Sequence, residues 1–378
     1  MSETGKFEIH HRDGECAARC ATLQTSHGAI ETPVFMPVGT RGTVKAMSPR
    51  DLEEVRAEII LGNTYHLYIR PGLEVVEQCG GLHPFMGWNR PILTDSGGYQ
   101  VFSLARLRKV TDAGVEFNSH VDGTRFFLGP VEAMEIQRIL GSDIAMTFDE
   151  CTADPCNRDY ACKAVDKTLA WAALCAEQAR APGQLVFGIV QGGEFEDLRA
   201  RSAEGILDLG FDGYAIGGVS VGEPEAVLWK GVTHGVQCLP VDRPRYLMGV
   251  GKMHQIIEAV AHGVDMFDCV MPTRFARNGT AFTRCGSYPV KAGEYRLDTE
   301  SIEPGCECYA CRNFTRAYVR HLLNVDEVLG IHLLTLHNLH RYMVFMQEMR
   351  DALKRGEFTS YKRDFLANYK IDGLHAEK

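Results

Sequence analysis

The chain has 378 residues, enough for two or three ordinary domains or for one large α/β barrel carrying an insertion. Apolar residues make up 45% and charged residues 24%, which is globular usage and excludes a largely disordered chain. Lys+Arg 40 against Asp+Glu 49 leaves 40 − 49 = −9, so a polyanion has to be met by a local basic patch, not by overall charge.

The first residues, MSETGKFEIHHRDGE, are polar and carry no apolar signal core, so secretion through a cleaved signal is not expected. No apolar run reaches the ~18 residues of a membrane span, so no membrane partner is expected. Most of the 13 cysteines are scattered and read as reduced thiols of a cytoplasmic protein.

Eight short apolar runs then recur along the chain: 34–39, 59–61, 91–94, 143–148, 185–190, 213–218, 245–250 and 265–270. They do not alternate, as suits strands buried on both faces of a parallel sheet. Helical patterns lie between them. One starts at Pro130, a residue favoured at the first helical position, and others run over Arg158–Arg180 and Phe195–Leu209. Eight such units predict an α/β fold of the (β/α)8 TIM-barrel type, with an open doubly wound sheet as the alternative. Residues 105–128 read as an inserted hairpin turning at Asp122-Gly123. The expected division is 1–290, a catalytic barrel with N-terminal strands and that hairpin, and 291–378, a zinc-binding helical subdomain packed on it.

Barrel enzymes work at the C-terminal ends of their strands. Here the third run ends in Thr94-Asp95-Ser96-Gly97-Gly98-Tyr99-Gln100, the fourth in Asp149-Glu150-Cys151, the fifth in Gln191-Gly192-Gly193 and the sixth in Gly217-Gly218-Val219. The eighth contains Asp268. An acid after a strand is often only a helix cap, and a glycine pair only a tight turn. Asp268, inside MFDCV, is harder to dismiss, because a carboxylate in a buried strand is costly unless paired or used. Two carboxylates on one rim suit nucleophile and acid/base at a glycosidic carbon. A third acid and an amide suit reading a planar base. A metal-dependent hydrolase would need ligands on these strand ends, where His66 and His254 are the nearby candidates and do not pair.

Past the barrel, Cys306-x-Cys308-x-x-Cys311 has the spacing of a structural zinc site completed by one imidazole. Spacing does not choose among His321, His332, His337 and His340. From Arg274 to Arg296 five basic residues face one acid, Glu294, a local charge of 5 − 1 = +4 that suits phosphate contact.

The strings DSGGYQVFSL (95–104), FDECT (148–152), GIVQGG (188–193), AIGGVSVGE (215–223), YLMGVG (246–251), FDCVMPTRFARNGTAF (267–282) and CECYACRNFTRAYVRHL (306–322) closely resemble the bacterial-type tRNA-guanine transglycosylases, the queuine tRNA-ribosyltransferase family. The likeness runs from Phe7 to about Tyr361. It implies a (β/α)8 barrel and exchange of the wobble guanine in GUN anticodons (tRNA-Asp, -Asn, -His, -Tyr) for 7-aminomethyl-7-deazaguanine (preQ1), through a covalent RNA–enzyme intermediate. The partners implied are the tRNA anticodon stem-loop, preQ1, guanine and a second copy of the chain.

Matched string by string, Asp268 falls on the family's nucleophile and Asp95 on its general acid/base. Asp149, Gln191 and Gly218 fall on residues that hold the base, with Ser96, Gly97, Gly98 and Val219 beside them, and Tyr99 and Met248 on the pair that sandwiches it. Gly249, Val250, Gly251, Lys252, Met253, His254 and Gln255, and Thr273, Arg274, Phe275, Ala276 and Arg277, fall on RNA-binding loops. Cys306, Cys308, Cys311 and His337 match ligands of one structural Zn2+. Phe314, Tyr318 and His321 match the homodimer contact. Residues 153–157, ADPCN, depart from the family's usual continuation after FDECT. Val221 is branched, as in family members that take preQ1; queuine-using relatives carry glycine there. A queuine-inserting enzyme and a noncatalytic partner subunit are the alternative functions, though the latter would be expected to have lost one of the acids.

Overall fold

The computed structural model describes residues 3–104, 108–152 and 155–370. Eight parallel strands close a barrel in chain order: β1 (Val34–Gly39), β2 (Ile60–Gly62), β3 (Ile92–Thr94), β4 (Ile144–Met146), β5 (Leu185–Val190), β6 (Gly213–Ile216), β7 (Arg245–Leu247) and β8 (Met266–Cys269). Pairing of β8 with β1, Asp268 opposite Met36, shuts the ring. The closed barrel, and not the open sheet, is thus the fold. The strands are shorter than several of the apolar runs that mark them, because residues such as Phe148 and Met248 lie past the last ladder pairing on the rim.

The absence of alternation in these strands now has its reason. One set of side chains, including Met36, Leu61, Leu93, Met146 and Ile189, fills the barrel interior. The other set, including Phe35, Ile60, Ile92, Phe148 and Val190, packs outward under the helices. An antiparallel sheet of Phe7–Arg12, Arg19–Thr25 and Gly28–Thr32 precedes β1, and its Leu23 and Ile30 join the interior core. At this N-terminal end Arg19 forms a buried two-pronged ion pair with Asp265, 2.9 and 2.6 Å.

The helices start where their sequences foretell. Pro130–Leu140 opens on its proline, buries Ala133, Met134, Ile136 and Leu140, and stops at Gly141 in the left-handed region. Arg158–Ala176 is capped by Asn157, which accepts the Asp159 N–H at 2.7 Å. The inserted hairpin is present as Val115–Asn118 with Arg125–Leu128, turning through Asp122-Gly123, and it gains a third strand, Arg108–Val110, on its other side. Thr111 and Gly114 make that extra turn, and residues 105–107 lie outside the described residues. So do residues 153 and 154 of the ADPCN loop.

After β8 come a helix (Met271–Asn278), a hairpin (Thr280–Thr283, Gly286–Pro289), short helices, and one long helix, Val328–Arg355. That helix returns to the barrel. Tyr342 donates to the Gly251 carbonyl at 2.6 Å and stacks obliquely on Phe35, while Asn338 ties Phe282, Pro272 and Thr280 together. Among the described residues no helix is long and apolar enough to cross a membrane.

Candidate active site and metal centre

Six consecutive strand ends, β3 to β8, carry the residues singled out in the sequence: Asp95, Asp149, Gln191, Gly218, Met248 and Asp268. Asp95 is buried and held on all sides. Its Oδ2 takes the Asn63 side-chain amide at 2.5 Å, and its Oδ1 takes the N–H groups of Thr64 (3.0 Å) and Gly97 (3.1 Å). Burial nonetheless dominates, with the Asp268 and Asp149 charges adding to it, and the carboxyl is pushed up to about 7. Asp149 is raised to about 6, again chiefly by burial, against the stabilising hydrogen bond from Gln191 Nε2 at 2.6 Å.

Asp268 is half-buried and its two oxygens differ. Oδ1 accepts the Tyr246 hydroxyl at 2.6 Å and the Gly249 N–H at 2.8 Å; Oδ2 has no hydrogen-bond partner among the described residues. Desolvation raises this carboxyl above the usual range while the two donors pull it back. One oxygen is anchored and the other is open to attack an electrophile.

A planar ligand has room above these acids. Tyr99, 49% exposed on the helix after β3, and half-buried Met248 after β7 stand on opposite walls of an eight-stranded ring. Gly98 must be glycine: a Cβ there would lie 2.9 Å from the Asp149 carbonyl. Ser96 is buried beside Asp149, with Oγ 3.5 Å from Oδ1. Gln191 leaves its buried Oε1 without a partner among the described residues, an acceptor waiting for a donor. Val219 is buried under the β6 end. Beside it Thr152, Gly218, Val221, Glu223 and Val227 line a cavity of about 20 Å3. Both Glu223 oxygens are taken by the Ser220 and Val221 amides, so its carboxylate orders this loop and does not cap the following helix.

The two loops matched to RNA-binding segments divide sharply. Gly249, Lys252 and Arg274 are exposed, and Phe275 and Arg277 are partly so. Val250, Gly251, Met253, His254, Gln255, Thr273 and Ala276 are buried and hold the loops in shape, His254 and Gln255 through Glu225. Asn63 lies in no pattern singled out in the sequence, and Tyr246 lies in the run 245–250 and the string YLMGVG without being marked as a site residue. Only their position at or near a strand end could have drawn attention to them.

The Cys306, Cys308, Cys311 and His337 donor atoms lie within 4.8 Å of one another. The three sulfurs stand 3.7, 3.6 and 3.3 Å from His337 Nδ1. A tetrahedral zinc with its usual bond lengths needs S···N edges of about 3.5 Å, so the donor set fits the ion. His337 Nε2 lies 2.8 Å from the Phe282 carbonyl, which fixes the proton there and frees Nδ1 for a metal. A second cluster, His27, His83 and Asp143, does not suit a metal. Its imidazoles stack at 3.6 Å, each on one Asp143 oxygen, whereas two rings converging on one ion hold centroids about 4.5–5 Å apart.

A closed (β/α)8 barrel that gathers three acids and an amide on its C-terminal rim, and that carries a Cys3His cluster fit to hold a metal ion, defines a barrel enzyme with a candidate metal site. The chain belongs to the queuine tRNA-ribosyltransferase family, whose model matches residues 13–371. It is similar to proteins of that name from Pelotomaculum thermopropionicum (53% identical over 366 residues, 97% of this chain and 99% of that protein) and Desulforamulus reducens (51% over 361 residues, 96% and 98%). A Staphylococcus aureus protein of the same name is 50% identical over 364 residues, 96% of this chain and 95% of that protein.

Proposed function

We propose that this protein exchanges the wobble guanine of GUN-anticodon tRNAs for preQ1 by double displacement at the ribose anomeric carbon. The observation that carries the reading is the unequal carboxylate pair: Asp268 with one anchored and one open oxygen, and Asp95 held near neutrality a short way across the rim. A flipped guanosine, least costly to extrude from an unpaired anticodon loop, enters between Tyr99 and Met248. Asp149 and Gln191 read its edge. Asp268 Oδ2 bonds to the anomeric carbon as the bond to guanine breaks, and Asp95 gives the departing base its proton. The incoming base then loses a proton to Asp95 and displaces Asp268, so two inversions give retention. Lys252, Arg274 and Arg277 meet the phosphates, residues 1–290 carry the chemistry, and the subdomain that begins at residue 291 packs on the barrel as support through its described residues, 291–370. Zinc in the Cys3His site supplies structure only, and the exposed Tyr318 and His321 lie on the homodimer contact. The work is cytoplasmic. Single-turnover incorporation of labelled guanine into unmodified tRNA tests the reading, and a metal hydrolase or noncatalytic subunit would show none.

The pH dependence follows from the acids. Asp95 has to be protonated to release guanine, and its raised value keeps the proton below about pH 7 and loses it above. The first half-reaction is therefore expected to fall through an alkaline limb near pH 7, and Asp95→Asn to be slow with that limb gone. A raised folded-state carboxyl costs stability as pH rises through it, so the wild-type Tm should fall between about pH 5 and pH 8 more steeply than that of Asp95→Asn, whose absolute Tm also bears the NH2 group it turns toward the Asn63 amide. An unchanged alkaline limb in the variant's single-turnover profile would remove Asp95 from the acid role.

The choice of preQ1 over queuine rests on Val221. The cavity it borders, about 20 Å3, is close to the room one water needs, and a cyclopentenediol would press on the branched side chain. Overpacking costs about 1–3 kcal/mol, roughly tenfold to a hundredfold in affinity. Val221→Gly should accordingly improve use of queuine. Competition kinetics decide the matter: equal wild-type efficiency with the two bases would defeat the assignment.

A further inference from the structure

Arg199, on the helix Glu196–Asp208 after β5, is fully buried, yet it makes no salt bridge with any described residue. Its guanidinium spends its donors on three backbone carbonyls instead: Nε on Gly193 at 2.8 Å, Nη1 on Val190 at 3.3 Å and Nη2 on Gly217 at 3.0 Å. The fold makes room for it at two glycines. A Cβ on Gly192 would lie 2.7 Å from the Arg199 N, and one on Gly231 3.1 Å from Nη2. A buried cation hydrogen-bonded only by carbonyls, with the Glu223 charge acting on it from a distance, is expensive, and these three carbonyls belong to the β5 and β6 ends.

The Gly217 carbonyl shares a rigid trans peptide with the Gly218 N–H, and the two point in opposite directions. Anchoring the oxygen on Arg199 therefore aims the N–H away from it, and that N–H lies toward the Cys151 sulfur, itself a neighbour of Asp149 and Tyr99. The neighbouring groups are acceptors: Asp149, and the orphaned Gln191 Oε1. Guanine presents two donors, the 2-amino group and N1–H, next to one acceptor, the 6-oxygen. With the acceptors taking the donors, the 6-oxygen is left for Gly218.

We infer that Arg199 is a positioning residue for recognition of the base's 6-oxygen: it locks the Gly217–Gly218 peptide from behind, and its charge polarises that peptide toward the oxygen, where electron density collects as the glycosidic bond breaks. The inference rests on the transglycosylase reading above and deepens it. It also accounts for the cost of burying Arg199 without a directly paired carboxylate.

The test compares exchange of guanine and of 6-thioguanine, whose sulfur is a weaker acceptor at the same place, in wild type, Arg199→Gln and Arg199→Lys. Both variants should raise KM for guanine about tenfold and for 6-thioguanine about twofold or less, with KM for tRNA unchanged. Lysine, which keeps the charge, should retain more of kcat than glutamine. Equal weakening toward both bases, or a parallel rise in KM for tRNA, would mark a general packing role and overturn the inference. If Arg199→Gln does not fold, Arg199→Lys carries the same comparison; if neither folds, Arg199 is a folding element and the inference falls. A wild type that exchanges no guanine sinks the underlying reading, whereas an active wild type beside indiscriminate variants sinks only this one.

Discussion

Asp268→Asn is expected to lose base exchange by a factor on the order of 10^4 or more while keeping its affinity for tRNA. The amide matches the carboxylate in shape and can still accept the Tyr246 hydroxyl and the Gly249 N–H through its oxygen. The atom facing the ligand then becomes an NH2 group, a far poorer nucleophile than Oδ2. Burial of the variant costs less than burial of the charge, so the fold should not suffer. Two measurements check this together: filter binding of tRNA, and the yield of a denaturation-resistant RNA–protein adduct. Recovery of that adduct from the Asn variant at wild-type yield would take the nucleophile's role away from Asp268.

Removal of the metal should act on the fold and leave the chemistry to whatever protein stays folded. Three sulfurs and Nδ1 of His337 would fill all four positions of a tetrahedral zinc, leaving none for water or substrate. Structural zinc sites in small domains contribute on the order of 10 kcal/mol, and the metal-free chain has to hold three buried or half-buried thiols together without it. His337 also sits on the long helix that carries Tyr342 and Asn338 against the barrel, so loosening it should be felt at both ends. Chelator, or Cys308→Ser, is expected to lower Tm by many degrees and to disrupt assembly of the C-terminal module. A metal-free protein that melted normally but had lost the chemical step would show the ion to be catalytic.

The periodicity of the chain was enough to determine eight strand–helix units, because a strand buried on both faces has to be apolar throughout and a helix between two such strands has to be amphipathic. Eight repeats of that pattern have few compact solutions. Closure into a barrel, and not an open sheet, was decided by the pairing of β8 with β1. Chemistry-bearing strand ends were legible for the same reason: Asp95, Asp149 and Asp268 break apolar runs where polarity is expensive. The Cys306, Cys308 and Cys311 trio was legible because its members are close in the chain. Its fourth donor was legible only through the resemblance and not through spacing, since four histidines at helical spacings are equivalent until the long helix brings one of them, His337, to the sulfurs and hands its other nitrogen to Phe282. The extra strand Arg108–Val110 was hidden in a short polar segment whose pairing is with residues beyond a turn. Which Asp268 oxygen is free, what holds the Asp95 carboxylate in place, and why Arg199 is buried depend on Tyr246, Asn63 and the carbonyls of Gly193 and Gly217, residues of ordinary type in ordinary local patterns. Hydrogen bonds between strand ends join residues dozens of positions apart, and only closure of the barrel sets those distances.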